Sequence, residues 1–350
     1  MNKKEFHRYV GSMQQVAYIR PIEYQEGRSS QLKAFEIKSG DLHFHVTSDK
    51  CLDISDFSYK GMNMTFLAKT GLQGRNSYDT NGEESLRSIM GGLFFTCGLE
   101  NICAPCTIDG KDYPMHGRLR TTPAEHVSSD AFFDGDDYRI TVSGEVREAE
   151  LFGENMVLRL KIETRLLETS ICVYDEIENQ SFVKAPLMLL YHCNFGYPFL
   201  NENCRLYLPT VNVEGREEWS QRHLEQWMCM EKPLEEETEY VFIHELRSNE
   251  KQDTMALLVN EKLKLGLKLE FNQKFLPYFM EWKSLNAGDY VLGLEPSNSS
   301  VYGRIYHMET DSLHYLEPFQ KEFNRLKFTV LDDEVEIERV KEKIRWLRER

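Results

Sequence analysis

Period-two alternation recurs along nearly the whole chain. Residues 138–146, 156–164, 170–177 and 263–271 each carry apolar side chains at every second position, and residues 35–38 and 42–46 do the same on either side of Ser39-Gly40-Asp41. In an extended chain successive side chains point to opposite faces, so each run offers one face to a core and one to water. Two such runs around a glycine turn predict a hairpin. Helical segments do not interleave with these runs as a parallel α/β fold requires, so an all-β, antiparallel architecture is expected. Composition shows no linker, repeat or low-complexity break, and residues 1–331 read as a single β domain. Helical signals stand at the two ends. Residues 2–10 can form a short helix. Residues 332–350 begin with Asp332, Asp333 and Glu334 and end rich in Lys and Arg, which suits the helix dipole. Ile337, Val340, Ile344 and Leu347 form a stripe at helical spacing, predicting a terminal helix docked on the domain.

Charge and composition exclude several classes. The 350 residues hold 42 Lys+Arg and 57 Asp+Glu, a balance of 42 − 57 = −15. That is the wrong sign for nucleic acid or an anionic membrane surface, both of which need clustered cations. No window approaches the roughly 20 apolar residues of a membrane span, and the first residues lack the apolar core of a signal peptide. The eight cysteines are too sparse for a disulfide framework and read as free thiols, so a cytoplasmic protein is expected. The acidic stretch at residues 231–239 reads as a solvated loop.

Motifs for cofactors are weak. Gly91-Gly92 and Gly71-Leu72-Gln73-Gly74 match neither a P-loop nor a dinucleotide fingerprint, and no Gly-x-Ser-x-Gly elbow occurs. His43-x-His45 puts two imidazoles on one face of a strand, a usable pair of metal ligands. Cys103-Ala104-Pro105-Cys106 is half of a zinc or redox motif. The two histidines read more simply as the wet face of a strand, and the two cysteines as small hydrophobes. No cofactor and no metal are therefore expected.

Four polar stretches remain, each set among Gly, Pro and aromatic residues. They are Gly98-Leu99-Glu100-Asn101, His116-Gly117-Arg118, Tyr191-His192-Cys193-Asn194-Phe195-Gly196, and Gly293-Leu294-Glu295-Pro296-Ser297-Asn298. In each a strand is expected to end at a titratable residue, where functional groups tend to sit. In this order, with Thr47 to Ile54 and Gly91-Gly92 before them, the set resembles the galactose mutarotase (aldose 1-epimerase) superfamily, and within it a bacterial aldose 1-epimerase-like branch of unassigned function. The resemblance implies a β-supersandwich whose concave face binds a sugar. It also implies that His192 acts as general acid, Glu295 as general base, and His116 contacts sugar hydroxyls. The branch departs from its relatives in carrying Gly98-Leu99-Glu100-Asn101 where they carry an Asn-Arg pair. Glu281 and Trp282 are candidates for the sugar-binding acid and ring, with Asn101, Arg118 and Asn298 as further hydroxyl contacts.

Mutarotation needs only an acid for the ring oxygen and a base for the anomeric hydroxyl, here expected at opposite edges of the bound sugar. Other readings stay open: another sugar isomerase on the same pair, a carbohydrate-binding protein without turnover, or a metal enzyme built on His43, His45 and His116. The expected partner is a sugar or sugar derivative, and the chain is expected to act as a monomer or a homodimer.

Overall fold

The computed structural model describes residues 2–74 and 82–350. The alternating runs form strands where the pattern predicts them. Lys33–Ser39 and Leu42–Thr47 make the predicted hairpin, and Asp137–Ala149, Asn155–Arg165, Ser170–Asn179 and Leu265–Asn272 cover the other four runs. Every named strand pair is antiparallel. Three large sheets result, of five, eight and six strands.

The eight-stranded sheet supplies one wall of the main core through Val142, Leu158, Ile162, Val173, Leu267 and Phe328. The five-stranded sheet adds Ile37, Phe44, Val46 and Ile54. The six-stranded sheet runs Thr210–Gly215, Tyr240–Leu246, Tyr278–Ser284, Val291–Ser297, Met188–Phe195, Phe95–Leu99. Both of its faces are covered. Leu189, Tyr191, Phe195, Leu292 and Leu294 join the main core, while Met188, Leu190, Met280, Phe95 and Val241 form a second cluster on the opposite face. Strands buried on two faces read as continuous apolar runs rather than alternating ones. For that reason residues 185–191 and 291–294 lack the period-two signature.

The termini behave as the charge pattern predicts. Asn2 caps the helix Lys3–Tyr9 through a reciprocal capping box with Glu5. At the other end Asp333 Oδ1 accepts from the amides of Val335 and Glu336 at 2.7 and 3.1 Å, opening the helix Glu334–Glu349. Its Ile337, Ile344 and Leu347 pack against Met255, Leu257, Val259 and Leu331 on the back of the eight-stranded sheet. No helix among the described residues is long and apolar enough to cross a membrane.

Candidate active site

The second face of the six-stranded sheet floors a cavity of about 840 Å³, a size suited to a small molecule. Strand geometry selects which residues reach it. Along Met188–Phe195 the odd positions enter the main core, so His192 projects onto the cavity floor, and along Val291–Ser297 the same alternation sends Glu295 there. Leu190 pairs with Ser297 and Cys193 with Leu294. His192 and Glu295 therefore fall directly opposite each other on neighbouring strands. Their side chains meet, Nε2 to Oε1, at 3.0 Å, and their side-chain exposures are only 11% and 6%. Sequence reasoning placed these groups at strand ends and on opposite edges of a sugar. The first expectation is corrected, since each lies within a strand; the two stand side by side, because cross-strand partners in an antiparallel sheet are immediate neighbours.

Gly293 makes room for the pair. It pairs with Asn194 on one side and Trp282 on the other. A Cβ there would lie 2.8 Å from His192 Cε1 and 3.2 Å from Nδ1. The imidazole thus leans over a missing side chain, and the Trp282 indole meets it with ring centroids 5.4 Å apart. Among the described residues His192 Nδ1 is buried without a hydrogen-bond partner, and Nε2 is the nitrogen that faces Glu295.

A loop brings the third group. His116 has a left-handed backbone, φ 57°, and precedes Gly117 at φ 70°. A Cβ at Gly117 would sit 2.1 Å from the Gly98 carbonyl, so only glycine fits there. The His116 ring lines the cavity, with its centroid 5.8 Å from that of His192 and 6.2 Å from that of Phe95. Its Nδ1 accepts from the Cys103 amide at 3.3 Å, which leaves the neutral ring's proton on Nε2. Burial first, then the neighbouring His192 and Arg120, pushes its pKa well below the ordinary histidine value. His116 is therefore a neutral donor. Beneath the same loop, buried Glu148 accepts from the amides of Leu99 and Glu100 at 3.3 and 3.0 Å. Burial, with the nearby Glu100 charge, raises its carboxyl to about 7.

The cavity mouth is polar. Trp282 Nε1 donates to Glu239 at 2.7 Å, and Arg216 donates to the same carboxylate at 3.2 Å. Lys69 pairs with Asp289 at 2.6 Å. Glu237 and Glu239 belong to the acidic stretch, which is a mostly exposed loop as expected; it also lines the cavity just before the strand Tyr240–Leu246. Arg216, Glu239 and Gly293 were not foreseen. The Gly-Leu-Glu spacing around Glu295 was the one available sign of Gly293.

His192, Glu295, His116 and Trp282 are thus brought together, while four other candidates lie elsewhere. Glu281 points to the opposite face of its strand, fully buried, and meets His244 Nε2 at 3.2 Å. It neighbours Trp282 in sequence, and neighbours in a strand face opposite ways. Asn101 spends its amide on the carbonyls of Ala104 and Pro114, at 3.0 and 2.9 Å, and so cinches the loop that carries His116. Arg118 pairs with Glu100 and donates to the Asp112 carbonyl at 3.0 Å. Asn298 accepts from the Leu189 amide at 2.7 Å and donates to the Leu187 carbonyl at 3.0 Å, locking two strands. The three-histidine metal reading also fails in geometry. His43 and His45 lie on the five-stranded sheet, while His116 rests against His192. Among the described residues all eight cysteines are free.

Antiparallel sheets and a sheet-floored cavity define a protein of the galactose mutarotase-like fold. Solved structures agree. One, from Klebsiella pneumoniae and provisionally described as an aldose 1-epimerase, is 22% identical with a TM-score of 0.90, over 95% of this chain and 92% of that one. A galactose mutarotase-like protein from Clostridium acetobutylicum is 14% identical with a TM-score of 0.63, over 91% and 100%. Galactose 1-epimerase from Lactobacillus acidophilus is 13% identical with a TM-score of 0.57, over 90% and 99%. Within that fold the chain belongs to the family described as Domain of unknown function (DUF4432), which matches residues 29–330. No curated protein matches it.

Proposed function

We propose that this protein is an aldose 1-epimerase-like isomerase that interconverts the anomers of a sugar, with His192 as general acid and Glu295 as general base. The observation that carries this reading is the 3.0 Å contact between His192 Nε2 and Glu295 Oε1 on the floor of the cavity. In a cyclic hemiacetal the ring oxygen and the anomeric hydroxyl are bonded to one carbon. Two adjacent groups can therefore serve both, as the placement of this pair allows.

The steps balance. Glu295 takes the proton of the anomeric hydroxyl while the imidazolium of His192 gives its Nε2 proton to the ring oxygen. The bond from the anomeric carbon to the ring oxygen breaks and a carbonyl forms. Rotation about the adjoining carbon–carbon bond presents the other face of the carbonyl. Ring closure then returns both protons and leaves the opposite anomer. Each positioned transfer can contribute about 10²–10⁴-fold. His116, held neutral with its proton on Nε2, suits donation to a sugar hydroxyl rather than the acid role. Trp282 offers an apolar face for the ring, and Arg216 and Glu239 suit hydroxyls far from the reacting carbon. Free thiols fit a cytoplasmic setting.

Anomer exchange measured by NMR across a panel of aldoses tests the proposal. Glu295→Gln keeps shape but removes the base, and should slow exchange at least about 100-fold while sugar binding survives. Exchange at the wild-type rate in that variant refutes the assignment. Binding by the wild type with no accelerated exchange would instead mark a carbohydrate-binding protein.

A further inference from the structure

Outside the cavity, the outer face of the five-stranded sheet gathers a second set of titratable groups. Alternation sends Ile37, Phe44, Val46, Ile54 and Phe57 into the core, so Glu36, His43, His45 and Asp56 share the opposite face. Register places Glu36 opposite His45 on one side and Asp56 opposite it on the other. A bulge between His45 and Val46 adds Ser55 to the facing strand. Bulges of this kind re-aim side chains. Here Asp56 stands beside His45, fixed by a 2.7 Å bond from Ser55 Oγ.

The contacts are those of a ligand set with its supports. His43 Nε2 lies 3.0 Å from Glu36 Oε1, and one donor atom each from Glu36, His43 and His45 lies within 4.8 Å of the others. Tyr18 donates to Glu36 at 3.0 Å. His45 Nδ1 faces the Tyr24 hydroxyl at 3.0 Å and Asp56 at 3.5 Å, which leaves its Nε2 for a ligand. Metal-bound imidazoles commonly use their second nitrogen in this way, toward a carboxylate or another polar group that fixes ring and tautomer. Side-chain exposures of 26% for Glu36, 40% for His43 and 20% for His45 keep the donors half-buried yet open to entry from solvent.

We propose that Glu36, His43 and His45 form a binding site for a late first-row divalent cation such as zinc, with Asp56 and Tyr24 orienting His45. Two imidazoles and one carboxylate suit zinc and its neighbours rather than calcium or magnesium, which prefer all-oxygen sets. Bonds of about 2.0–2.2 Å require the donors to close up by side-chain rotation. The ion would displace the proton shared by Glu36 and His43 and tie two adjacent strands of the sheet. The site stands apart from the sugar cavity, and its test does not depend on any turnover.

The full chain, stripped of metal by a chelator, is titrated with zinc alone and with cobalt(II) alone. One zinc should bind per chain. The cobalt spectrum should lack the charge-transfer band of thiolate ligation. The double variant His43→Asn/His45→Asn should lose saturable binding, and Asp56→Asn should weaken it roughly 10- to 100-fold. Cys103→Ser/Cys106→Ser should bind as the wild type does. Unchanged zinc affinity in the double histidine variant, a thiolate band, or no saturable binding by the wild type overturns the proposal. The cobalt spectrum needs no variant and decides the matter even should the double variant misfold.

Discussion

Glu295 illustrates how the neighbourhood sets a residue's part. It is a carboxylate only 4% exposed, with an imidazole as its immediate cross-strand neighbour. Glu281, fourteen positions earlier, is also buried and paired with a histidine, yet faces the core and does not line the cavity that holds Glu295. Composition cannot separate the two; the face of the strand does. Gly293 carries the same lesson in negative form. Its φ is unremarkable for any residue, and what matters is the space above it, into which His192 leans. Gly293→Ala should tilt that ring, since its Cβ would come within 2.8 Å of His192 Cε1. Displacing a catalytic group by about 1 Å can cost about 100-fold, so kcat for anomer exchange should fall by about that factor while the KM changes little. A variant with wild-type kcat would show that His192 is not the acid.

At the scale of elements, residues 98–118 form a brace in which polar contacts supplement the apolar burial of Leu99, Ile102 and Cys103. Asn101 cinches it, Gly117 allows its close approach to Gly98, and Glu148 holds the amides of Leu99 and Glu100 from below. Glu148 makes this brace sensitive to pH. Its carboxyl titrates at about 7 in the fold against an ordinary 4.5, so the folded state binds a proton more tightly than the unfolded one. The stabilisation is fully present below 4.5 and is lost as pH rises to about 7, a loss of order 3 kcal/mol. His116 acts in the opposite direction. Its depressed pKa contributes stability above the ordinary value of 6.5 that is lost as pH falls below it. Melting temperatures recorded from pH 5 to pH 8 should fall more steeply in the wild type than in Glu148→Gln. Parallel curves would show that Glu148 does not titrate there. The sequence signalled none of this, because Glu148 lies just past the alternating run at residues 138–146 and belongs to no motif.

Across the whole molecule, the C-terminal helix and the cavity are structurally separate. The helix packs on the back of the eight-stranded sheet, while the cavity opens on the far face of the six-stranded one. Ile344→Ala should leave a void under the helix and lower the unfolding free energy by about 2–5 kcal/mol, read by denaturant titration. Sugar binding should persist in that variant. Loss of binding at equal folded fraction would reveal a coupling that the packing does not show. The shared apolar core that joins the sheets is supplemented by a polar tie: Asp332 accepts from Tyr59 and Lys60 at 2.6 Å each, joining the end of the eight-stranded sheet to the five-stranded one.

By itself the sequence determined the strand-rich antiparallel architecture, the two terminal helices and the identity of His116, His192, Glu295 and Trp282 as candidates. The architecture and the helices follow from local periodicity and charge order, which neighbours in the chain carry, and the four candidates follow from the resemblance to the galactose mutarotase superfamily. Tertiary structure alone decided the rest. It placed His192 beside Glu295, sent Glu281 inward, turned Asn101, Arg118 and Asn298 into braces, and gathered Glu36 with His43 and His45. Each of these depends on which strand lies next to which and in what register, and pairing between segments distant in the chain leaves no periodic trace within either one.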